Sequence, residues 1–401
     1  MENIESRTVD YGTSKQTVKD TLPEEIEVTL SNGDTRNVQL VWETDEYNRK
    51  EPGKYTFAGN FTVEEISENI KVKVTVKDSD ETVSNVNELE NVLKDLSSED
   101  EIVVKLKNGE YKDHIKISDQ HSFSELTLIA EEKHEAKITN GIKIDNSDNV
   151  KLIDFLIEGN GGNGINVDSS KNITITNNII KDNGYFGILI KNSKSVVIEN
   201  SEVRNNGLKE EYPGVQINNS EVEMLNNKIS GNKGYGIRLF NESNAKILDG
   251  NEISNNSSHG IVSDSSTVTV ENNKILKNGE RGLSISGNST ANIKNNEIAN
   301  HTSTFAGVGF HNSDVSVSDN DIYENYVGLG YSGINPDSYD KDKIIDNNFE
   351  NNEKQVVSYI ENNDNYPLLK EIKNENNFTP ESEITTFELD NTIYRAIKPK
   401  Q

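Results

Sequence analysis

Residues 172–190 read NITITNNIIKDNGYFGILI, and residues 195–217 read SVVIENSEVRNNGLKEEYPGVQI. In both stretches an Asn or Ser is followed two residues on by an apolar residue, and a Gly further along precedes an aliphatic residue. The first marker recurs at Asn178, Ser201, Asn227, Asn251, Asn273, Asn296, Asn320 and Asn347. The second recurs at Gly164, Gly187, Gly214, Gly236, Gly260, Gly282, Gly307 and Gly328. Two independent markers that keep one period indicate a repeat architecture.

The residues between the markers indicate β-strands. Ile, Val and Asn dominate each repeat, whereas leucine-rich repeats of similar length need a Leu-rich consensus and one helix per repeat. We therefore predict an all-β fold, a right-handed parallel β-helix of about 8–10 coils that stack roughly 4.8 Å apart. Strand alternation predicts that pairs such as Ile188/Ile190 and Val215/Ile217 point inward. The Asn residues are expected at the corners, where they bond to neighbouring coils.

The composition agrees with a thin core and excludes several classes of protein. Of the 401 residues 32% are hydrophobic, none is Cys, and 68 acidic against 41 basic side chains give a formal net charge of -27. The lack of Cys excludes disulfides and thiolate metal sites, and the acidity argues against nucleic-acid binding. No apolar run reaches the length of a membrane span. Because no positively charged apolar leader follows Met1, we expect either an intracellular protein or a secreted one whose signal peptide has been removed.

Residues 1–78 show a different pattern, in which short alternating strands are punctuated by Asn-Gly and Pro-Gly, as is typical of a small β-sandwich. This segment resembles the group 4 bacterial immunoglobulin-like domain. The resemblance is carried by Leu22-Pro23, Gly33, Val41-Trp42, Tyr47, Pro52-Gly53-Lys54-Tyr55, Gly59, Val72, Val74 and Val76. It implies a spacer or attachment module of a secreted or surface protein, with Trp42 in the domain core.

The remaining chain divides into three predicted segments. Residues 79–85 are polar and are expected to form a linker. Residues 86–348 are expected to form the β-helix, which opens with a short amphipathic capping helix because Val86, Leu89 and Leu93 fall at helical spacing. In residues 349–401 the repeat decays, and we expect an irregular cap that covers the last coil.

The outward positions of the central coils gather cations and aromatic groups, which is unusual for so acidic a chain. Elimination across an acidic sugar needs a group that neutralises the carboxylate, a base for the adjacent proton and an acid for the leaving oxygen. We predict Lys191 as the base, Tyr235 or His259 as the acid, and Arg238 on the carboxylate. The predicted substrate-binding residues are Gln216, Asn218, Tyr212, Phe240, Arg281 and Asp168. Solvated side chains on an exposed sheet are the alternative explanation for all of these residues.

Calcium is the one cofactor that the sequence suggests. Asp337, Asp340 and Asp342 lie on one segment, and carboxylate oxygens suit calcium. The spacing lacks the Gly and the terminal Glu of an EF-hand, so an acidic solvated loop is the alternative.

From residue 84 to about residue 352 the chain resembles the pectate-lyase-like parallel β-helix superfamily, which includes polysaccharide lyases, C5-epimerases and non-catalytic surface proteins. Asn108-Gly109-Glu110-Tyr111 is similar to the opening coil of chondroitinase B and alginate lyase types, whereas the epimerase motif Asp-Pro-His-Glu is absent. The resemblance implies a secreted bacterial protein that acts on acidic, uronate-containing polysaccharides, and a lyase is our first hypothesis. A non-catalytic carbohydrate-binding or adhesion protein is the alternative, followed by a glycoside hydrolase or epimerase. We expect a monomer, or a trimer if the protein is a fibre.

Overall fold

The computed structural model describes residues 4–30, 33–44, 46–63, 66–301, 306–334, 339–359, 367–389 and 392–400. These residues form an N-terminal β-unit followed by a right-handed parallel β-helix, which confirms the predicted fold. No helix among the described residues is long and apolar enough to cross a membrane.

The N-terminal unit consists of two small sheets around a separate core. One sheet has the strand order Arg7–Val9, Ile66–Val76, Gly53–Val63 and Val41–Glu43; the other pairs Glu25–Thr29 with Thr35–Gln39; and a helix spans Lys15–Asp20. Trp42 is buried in this core, as predicted, and its Nε1 donates a hydrogen bond to the carbonyl oxygen of Pro23 at 2.8 Å. Gly59 lies under the indole, because a Cβ there would be 2.9 Å from the ring.

Three parallel sheets form the walls of the β-helix, and each coil contributes one strand to each sheet. Sheet 1 contains the parallel strands Ile115–Ser118, Ile142–Asp145, Ile165–Asp168, Ile188–Lys191, Val215–Asn218, Ile237–Phe240, Ile261–Asp264, Leu283–Ser286, Ala306–His311, Val327–Ser332 and Lys354–Ser358, and ends in the antiparallel hairpin Ser382–Leu389 and Thr392–Pro399. Sheet 2 contains Glu81–Val83, Glu101–Leu106, Glu125–Ala130, Val150–Ile153, Lys171–Thr176, Lys194–Glu199, Glu221–Leu225, Asn244–Leu248, Thr267–Glu271, Thr290–Lys294, Asp314–Ser318 and Ile344–Ile345. Sheet 3 contains Gly109–Tyr111, Ala136–Ile138, Leu156–Glu158, Ile179–Lys181, Glu202–Arg204, Lys228–Ser230, Glu252–Ser254, Lys274–Leu276, Glu297–Ala299, Asp321–Tyr323, Asn348–Glu350 and Asn377–Thr379.

The β-helix has about 12 coils, because sheet 3 has 12 strands, rather than the 8–10 that the sequence predicts. The additional coils lie at the two ends, where strands such as Glu101–Leu106 and Asn377–Thr379 stack in parallel without both sequence markers. The Asn and Gly markers therefore undercount the coils.

Both ends of the β-helix are closed by short helices. At the N-terminal end the predicted capping helix spans Val86–Lys94, begins at the N-cap Asn85, and buries Val86 and Leu89 over the first coil. Residues 79–85, which we expected to be a linker, include Glu81–Val83, which pairs with Glu101–Leu106 of sheet 2. At the C-terminal end a 3-10 turn at Lys341–Lys343 and the helix Pro367–Asn374 come between the last strands.

Two buried ladders of Asn side chains run along the coils at the positions of the sequence marker. In the first ladder Asn227 donates from its backbone N and its Nδ2 to Oδ1 of Asn251, at 2.9 and 3.0 Å. In the second, Asn232 makes the same pair of bonds to Asn256. Other Asn residues, such as Asn177 and Asn200, lie at corners with φ of 56° and 50°, which Asn tolerates better than most residues. The Asn residues of the ladders and the corners therefore have structural roles, as expected.

The N-terminal unit contacts the side of the β-helix through one buried carboxylate. Asp154 is completely buried and pairs with Arg49 and Lys50, whose Nη2 and Nζ lie 2.6 Å from Oδ1 and 2.8 Å from Oδ2 respectively. Tyr11 packs beside this pair against Ile129 and Ile153 of sheet 2. An ion pair and an apolar patch thus fix the unit against the β-helix.

Candidate functional site

The outward face of sheet 1 carries a group of polar and aromatic side chains in its central coils. The strand register places Gln216 beside Arg238 and Asn218 beside Phe240 on adjacent coils. The guanidinium of Arg238 lies over two rings, with its Cζ 5.8 Å from the ring centroid of Tyr235 and 5.0 Å from that of Phe240. We call these five residues the central platform. A cation held on aromatic faces beside two amides can bind a hydroxylated, negatively charged ligand.

Lys191, the predicted base, is engaged by a neighbouring carboxylate. Its Nζ lies 2.8 Å from Oδ2 of Asp168, the residue directly opposite on the preceding coil. Burial disfavours the charged form of Asp168, but hydrogen bonds from Lys191, Asn192 and Ser169 outweigh this effect and lower the pKa of the carboxyl group. In this structure the amino group of Lys191 is therefore directed at a carboxylate of the protein itself.

His259, a predicted acid, has both ring nitrogens occupied. Nδ1 accepts a hydrogen bond from the backbone N–H of Arg281 at 3.0 Å, and Nε2 lies 3.1 Å from Oε2 of Glu280. Burial lowers the pKa of His259 to about 4, so the ring is neutral at pH 7. Tyr235, the other predicted acid, stacks on this ring at a centroid distance of 5.5 Å. His259 therefore packs against one of the two rings of the platform.

The loop that separates two coils at residues 207–213 forms an aromatic cluster next to the platform. Tyr212 contacts Phe186 and Tyr185 edge to face, at centroid distances of 4.6 and 5.1 Å. A hydrogen bond with Glu210 raises the pKa of Tyr212. Tyr185 remains 38% exposed and Leu208 55% exposed, so the loop offers apolar surface to solvent.

A pocket of about 230 Å³ opens on the same face nearer the C-terminal end. We call it the distal pocket. Its polar lining includes Arg281, Ser286, His311, Ser332 and Tyr359. Arg281 donates from Nη1 to Oγ of Ser284 at 3.3 Å, and burial lowers the pKa of its guanidinium. Arg281, predicted to bind substrate, thus lies apart from the platform and lines this pocket instead.

Two glycines make room for the distal pocket. At Gly309 a Cβ would lie 2.8 Å from Nε of Arg281, and at Gly330 it would lie 3.1 Å from the ring of Tyr359. The two glycines are opposite each other on adjacent coils, so together they form the floor on which both side chains lie. The pattern Gly-x-Gly in residues 307–309 and 328–330 is the sequence signal for this floor, and only the first Gly of each pair belongs to the repeat marker.

The predicted calcium ligands divide between described and undescribed parts of the chain. Asp337 lies outside the described residues. Asp340 caps the turn at Lys341–Lys343 by accepting a hydrogen bond from the backbone N of Asp342 at 3.2 Å. Within the described ranges no three His, Asp or Glu side chains are grouped as metal ligands.

Two family models match the chain, one mainly in the β-helix and one in the N-terminal unit. The family model for the right handed beta helix region matches residues 56–210, 208–304 and 262–378. The chain belongs to the right-handed β-helix family. The N-terminal residues 2–65 of this β-helix protein match the bacterial Ig-like domain of group 4, which confirms the second resemblance.

Several solved structures are similar to this β-helix protein at low identity. The A-module of a mannuronan C-5 epimerase from Azotobacter vinelandii is 15% identical, with 70% of this chain and 89% of that chain covered and a TM-score of 0.46. A surface adhesin of Streptococcus pneumoniae is 13% identical over 74% and 90%, with a TM-score of 0.43. The pectate lyase Pel9A is 14% identical over 72% and 81%, with a TM-score of 0.44. No curated protein matches the chain, and these similarities do not bear on its activity.

Proposed function

We propose that this β-helix protein binds acidic polysaccharides along the outward face of sheet 1, as a secreted or surface-attached protein. The single observation that carries the proposal is the central platform, where Arg238 lies over Tyr235 and Phe240. Within the described ranges Lys191 pairs with Asp168, whereas no ion pair joins Arg238 to a carboxylate. Arg238 is thus a cation available to a ligand on a protein whose net charge is -27.

The chemistry of the platform supports a sugar carrying a carboxylate. The fork of N–H donors on Arg binds a carboxylate in a bidentate manner. The amides of Gln216 and Asn218, which lie in register with Arg238 and Phe240, can donate to and accept from hydroxyl groups. Aromatic rings offer flat apolar faces to a sugar ring. The group 4 Ig-like domain supports the proposed extracellular location.

Binding fits the platform better than cleavage does. Two of the three groups expected to move protons are already engaged within the protein. Lys191 pairs with Asp168, and the ring nitrogens of His259 are occupied by Arg281 and Glu280. Elimination is the second candidate function, because Arg281, His311 and Tyr359 line the distal pocket.

Affinity electrophoresis in gels that contain alginate, polygalacturonate or a neutral dextran tests the proposal. We expect the acidic polymers to retard the protein and dextran to leave it unaffected. R238A should weaken the affinity that the retardation reports by about tenfold. This is the effect expected from the loss of one hydrogen bond to a charged group. K246A is the matched control, because Lys246 carries the same charge on a strand of sheet 2. Equal effects of R238A and K246A, or no retardation of the wild type, would overturn the proposal.

A further inference from the structure

We propose that an isopeptide bond forms between Nζ of Lys50 and Cγ of Asp154 and joins the Ig-like unit covalently to the β-helix. The bond is a self-modification of the folded chain, since both partners are its own residues. It concerns the junction of the two units and is independent of the polysaccharide site on sheet 1.

The two reacting groups are in contact although they are far apart in the sequence. Nζ of Lys50, in the Ig-like unit, lies 2.8 Å from Oδ2 of Asp154, which directly follows the strand Val150–Ile153 of sheet 2. Because Oδ2 is bonded to Cγ, the amine nitrogen lies beside the carbon that it attacks. Such positioning by the fold makes an otherwise very slow condensation an intramolecular reaction at high effective concentration.

The backbone of the β-helix holds the amine of Lys50 in this position. Nζ donates to the carbonyl oxygen of Ala130 at 2.6 Å and lies 3.3 Å from that of Glu131. Ala130 ends the strand that pairs with Val150–Ile153, so these carbonyl groups and Asp154 belong to adjacent coils. The nitrogen is therefore anchored between two coils and directed at the carboxyl group.

Burial makes the amine of Lys50 more reactive. The side chain of Asp154 is completely buried and that of Lys50 is only 16% exposed. Burial lowers the pKa of Lys50, although the hydrogen bond and the charge of Asp154 oppose this. The amine therefore loses its proton more readily than a lysine in water, and the neutral amine is the nucleophile. By contrast, Lys191 and Asp168 are 34% and 20% exposed, so water can hydrate that pair.

Arg49 provides the positive charge that the transition state requires. Its Nη2 donates to Oδ1 of Asp154 at 2.6 Å, and Oδ1 is the oxygen that stays on Cγ after the reaction. Its Nη1 donates to the carbonyl oxygen of Gly12 at 3.3 Å, which holds the guanidinium in place. When the nitrogen adds to Cγ, negative charge grows on Oδ1, and the adjacent guanidinium stabilises it.

An apolar patch limits the access of water to the junction. Tyr11 packs with Val103, Ile129 and Ile153 in a buried cluster, and Ile153 directly precedes Asp154 in the chain. Exclusion of water strengthens the interaction with Arg49 and favours condensation over hydrolysis.

The reaction balances without a further reactant. The ammonium of Lys50 passes one proton to Oδ2 of Asp154, which gives a neutral amine and a neutral carboxylic acid. The nitrogen then forms a bond to Cγ, the bond between Cγ and Oδ2 breaks, and Oδ2 leaves as water with a second proton from the nitrogen. The amide keeps one N–H, and Arg49 donates to its carbonyl oxygen.

Mass spectrometry of the denatured full chain tests the proposal. We expect the wild-type mass to be lower than that of its sequence by one water molecule. K50R keeps the positive charge but offers a guanidinium, which does not form the amide, and D154A lacks the carboxyl group. Each variant should have the full mass of its own sequence. K143R is the matched control and should keep the deficit of one water, because Lys143 pairs with Asp145 on the surface.

A tryptic digest of the denatured wild type locates the bond without relying on the folding of any variant. Trypsin does not cleave after a lysine whose amine is acylated, so residues 50–54 should be recovered joined to residues 152–171. A wild-type chain of full mass would overturn the proposal. A deficit of one water that persists in K50R would also overturn it, because the water would then have been lost elsewhere.

Discussion

Asparagine fills two kinds of position in this chain, and a substitution has different consequences in each. At corners such as Asn177 and Asn200 the residue supplies a backbone with positive φ. In the buried ladders each side chain both donates and accepts, so its neighbours depend on it for their own hydrogen bonds. The second ladder includes one exception, since His301 takes the place of Asn between Asn278 and Asn325.

His301 completes the ladder less well than Asn would. Its Nδ1 accepts a hydrogen bond from the backbone N of Asn278 at 3.1 Å. By contrast, Oδ1 of Asn278 accepts from both the backbone N and the Nδ2 of Asn256. Burial lowers the pKa of His301 to about 4, so the ring cannot take up a proton at mildly acidic pH without destabilising the fold.

We predict that H301N makes the protein less sensitive to acid. An unfolded His takes up a proton below pH about 6.5, whereas the folded His301 does so only near pH 4. Folded-state stability is therefore lost as the pH falls from about 6.5 to about 4, by up to roughly 3 kcal/mol for this residue. The fall in Tm between pH 7 and pH 4.5 should be smaller for H301N than for the wild type. An equal fall in both proteins would contradict this account of His301.

At the scale of structural elements, the ladders add buried side-chain hydrogen bonds between coils to the backbone hydrogen bonds of the sheets. Oδ1 of Asn232 accepts from the backbone N and the Nδ2 of Asn206, and its Nδ2 donates to Val203 and to Asn256. All these groups lie in the interior, where water cannot replace a lost partner.

N232A should therefore lower the free energy of unfolding by about 2–4 kcal/mol, since several buried polar groups lose their partner. Asn244 provides the control, because it is exposed on a strand of sheet 2. N244A should change stability by less than about 0.5 kcal/mol. Urea unfolding followed by circular dichroism measures both. A similar small effect of the two substitutions would show that the ladder contributes little.

The repeat in the sequence predicts the sheets well but the site only partly. The period places Asp168 and Lys191 opposite each other on adjacent coils, so their ion pair follows from the register that the sequence already indicates. The same register predicts the pairing of Gln216 with Arg238. The occupied nitrogens of His259 do not follow from it, because Glu280 and Arg281 lie in the irregular turn between strands.

The distal pocket illustrates what a repeat cannot predict. Tyr359 lies where the Asn and Gly markers have ended, and its position depends on packing against the C-terminal hairpin. Arg281 reaches the pocket because Gly309, on the next coil, has no side chain that would block it. The repeat in the sequence gives no indication of such contacts.

At the scale of the whole molecule, the Ig-like unit and the β-helix are connected through Asp154. Removing the charge of this completely buried carboxylate should lower stability, because its two cationic partners would stay partly buried without a counter-charge. Asp154 has a φ of 67°, which Asn also tolerates, so D154N removes the charge without straining the backbone.

We predict that D154N destabilises the contact by about 3 kcal/mol, so that in calorimetry the Ig-like unit unfolds separately and at a lower temperature. D145N is the control, since Asp145 pairs with Lys143 on the surface, where both side chains are more than one third exposed. It should cost less than about 1 kcal/mol. Coincident unfolding of both units in D154N would mean that other contacts dominate the junction.

The net charge of -27 predicts an unusual salt dependence of polysaccharide binding. An acidic polymer that approaches so acidic a protein is repelled at long range, and salt shortens the range from about 30 Å at 0.01 M to about 8 Å at 0.15 M. The association rate constant should therefore rise with ionic strength, as measured by stopped-flow or surface plasmon resonance. A rate that falls with salt would instead indicate attraction by a basic surface.

We propose above all that the outward face of sheet 1 is the surface that binds an acidic polysaccharide. A crystal structure of the protein with a uronate oligosaccharide tests it most directly. We expect sugar residues on this face, with a carboxylate within hydrogen-bond distance of the guanidinium of Arg238 or Arg281. Sugar bound on sheet 2, on sheet 3 or on the Ig-like unit, with both guanidinium groups unoccupied, would contradict it.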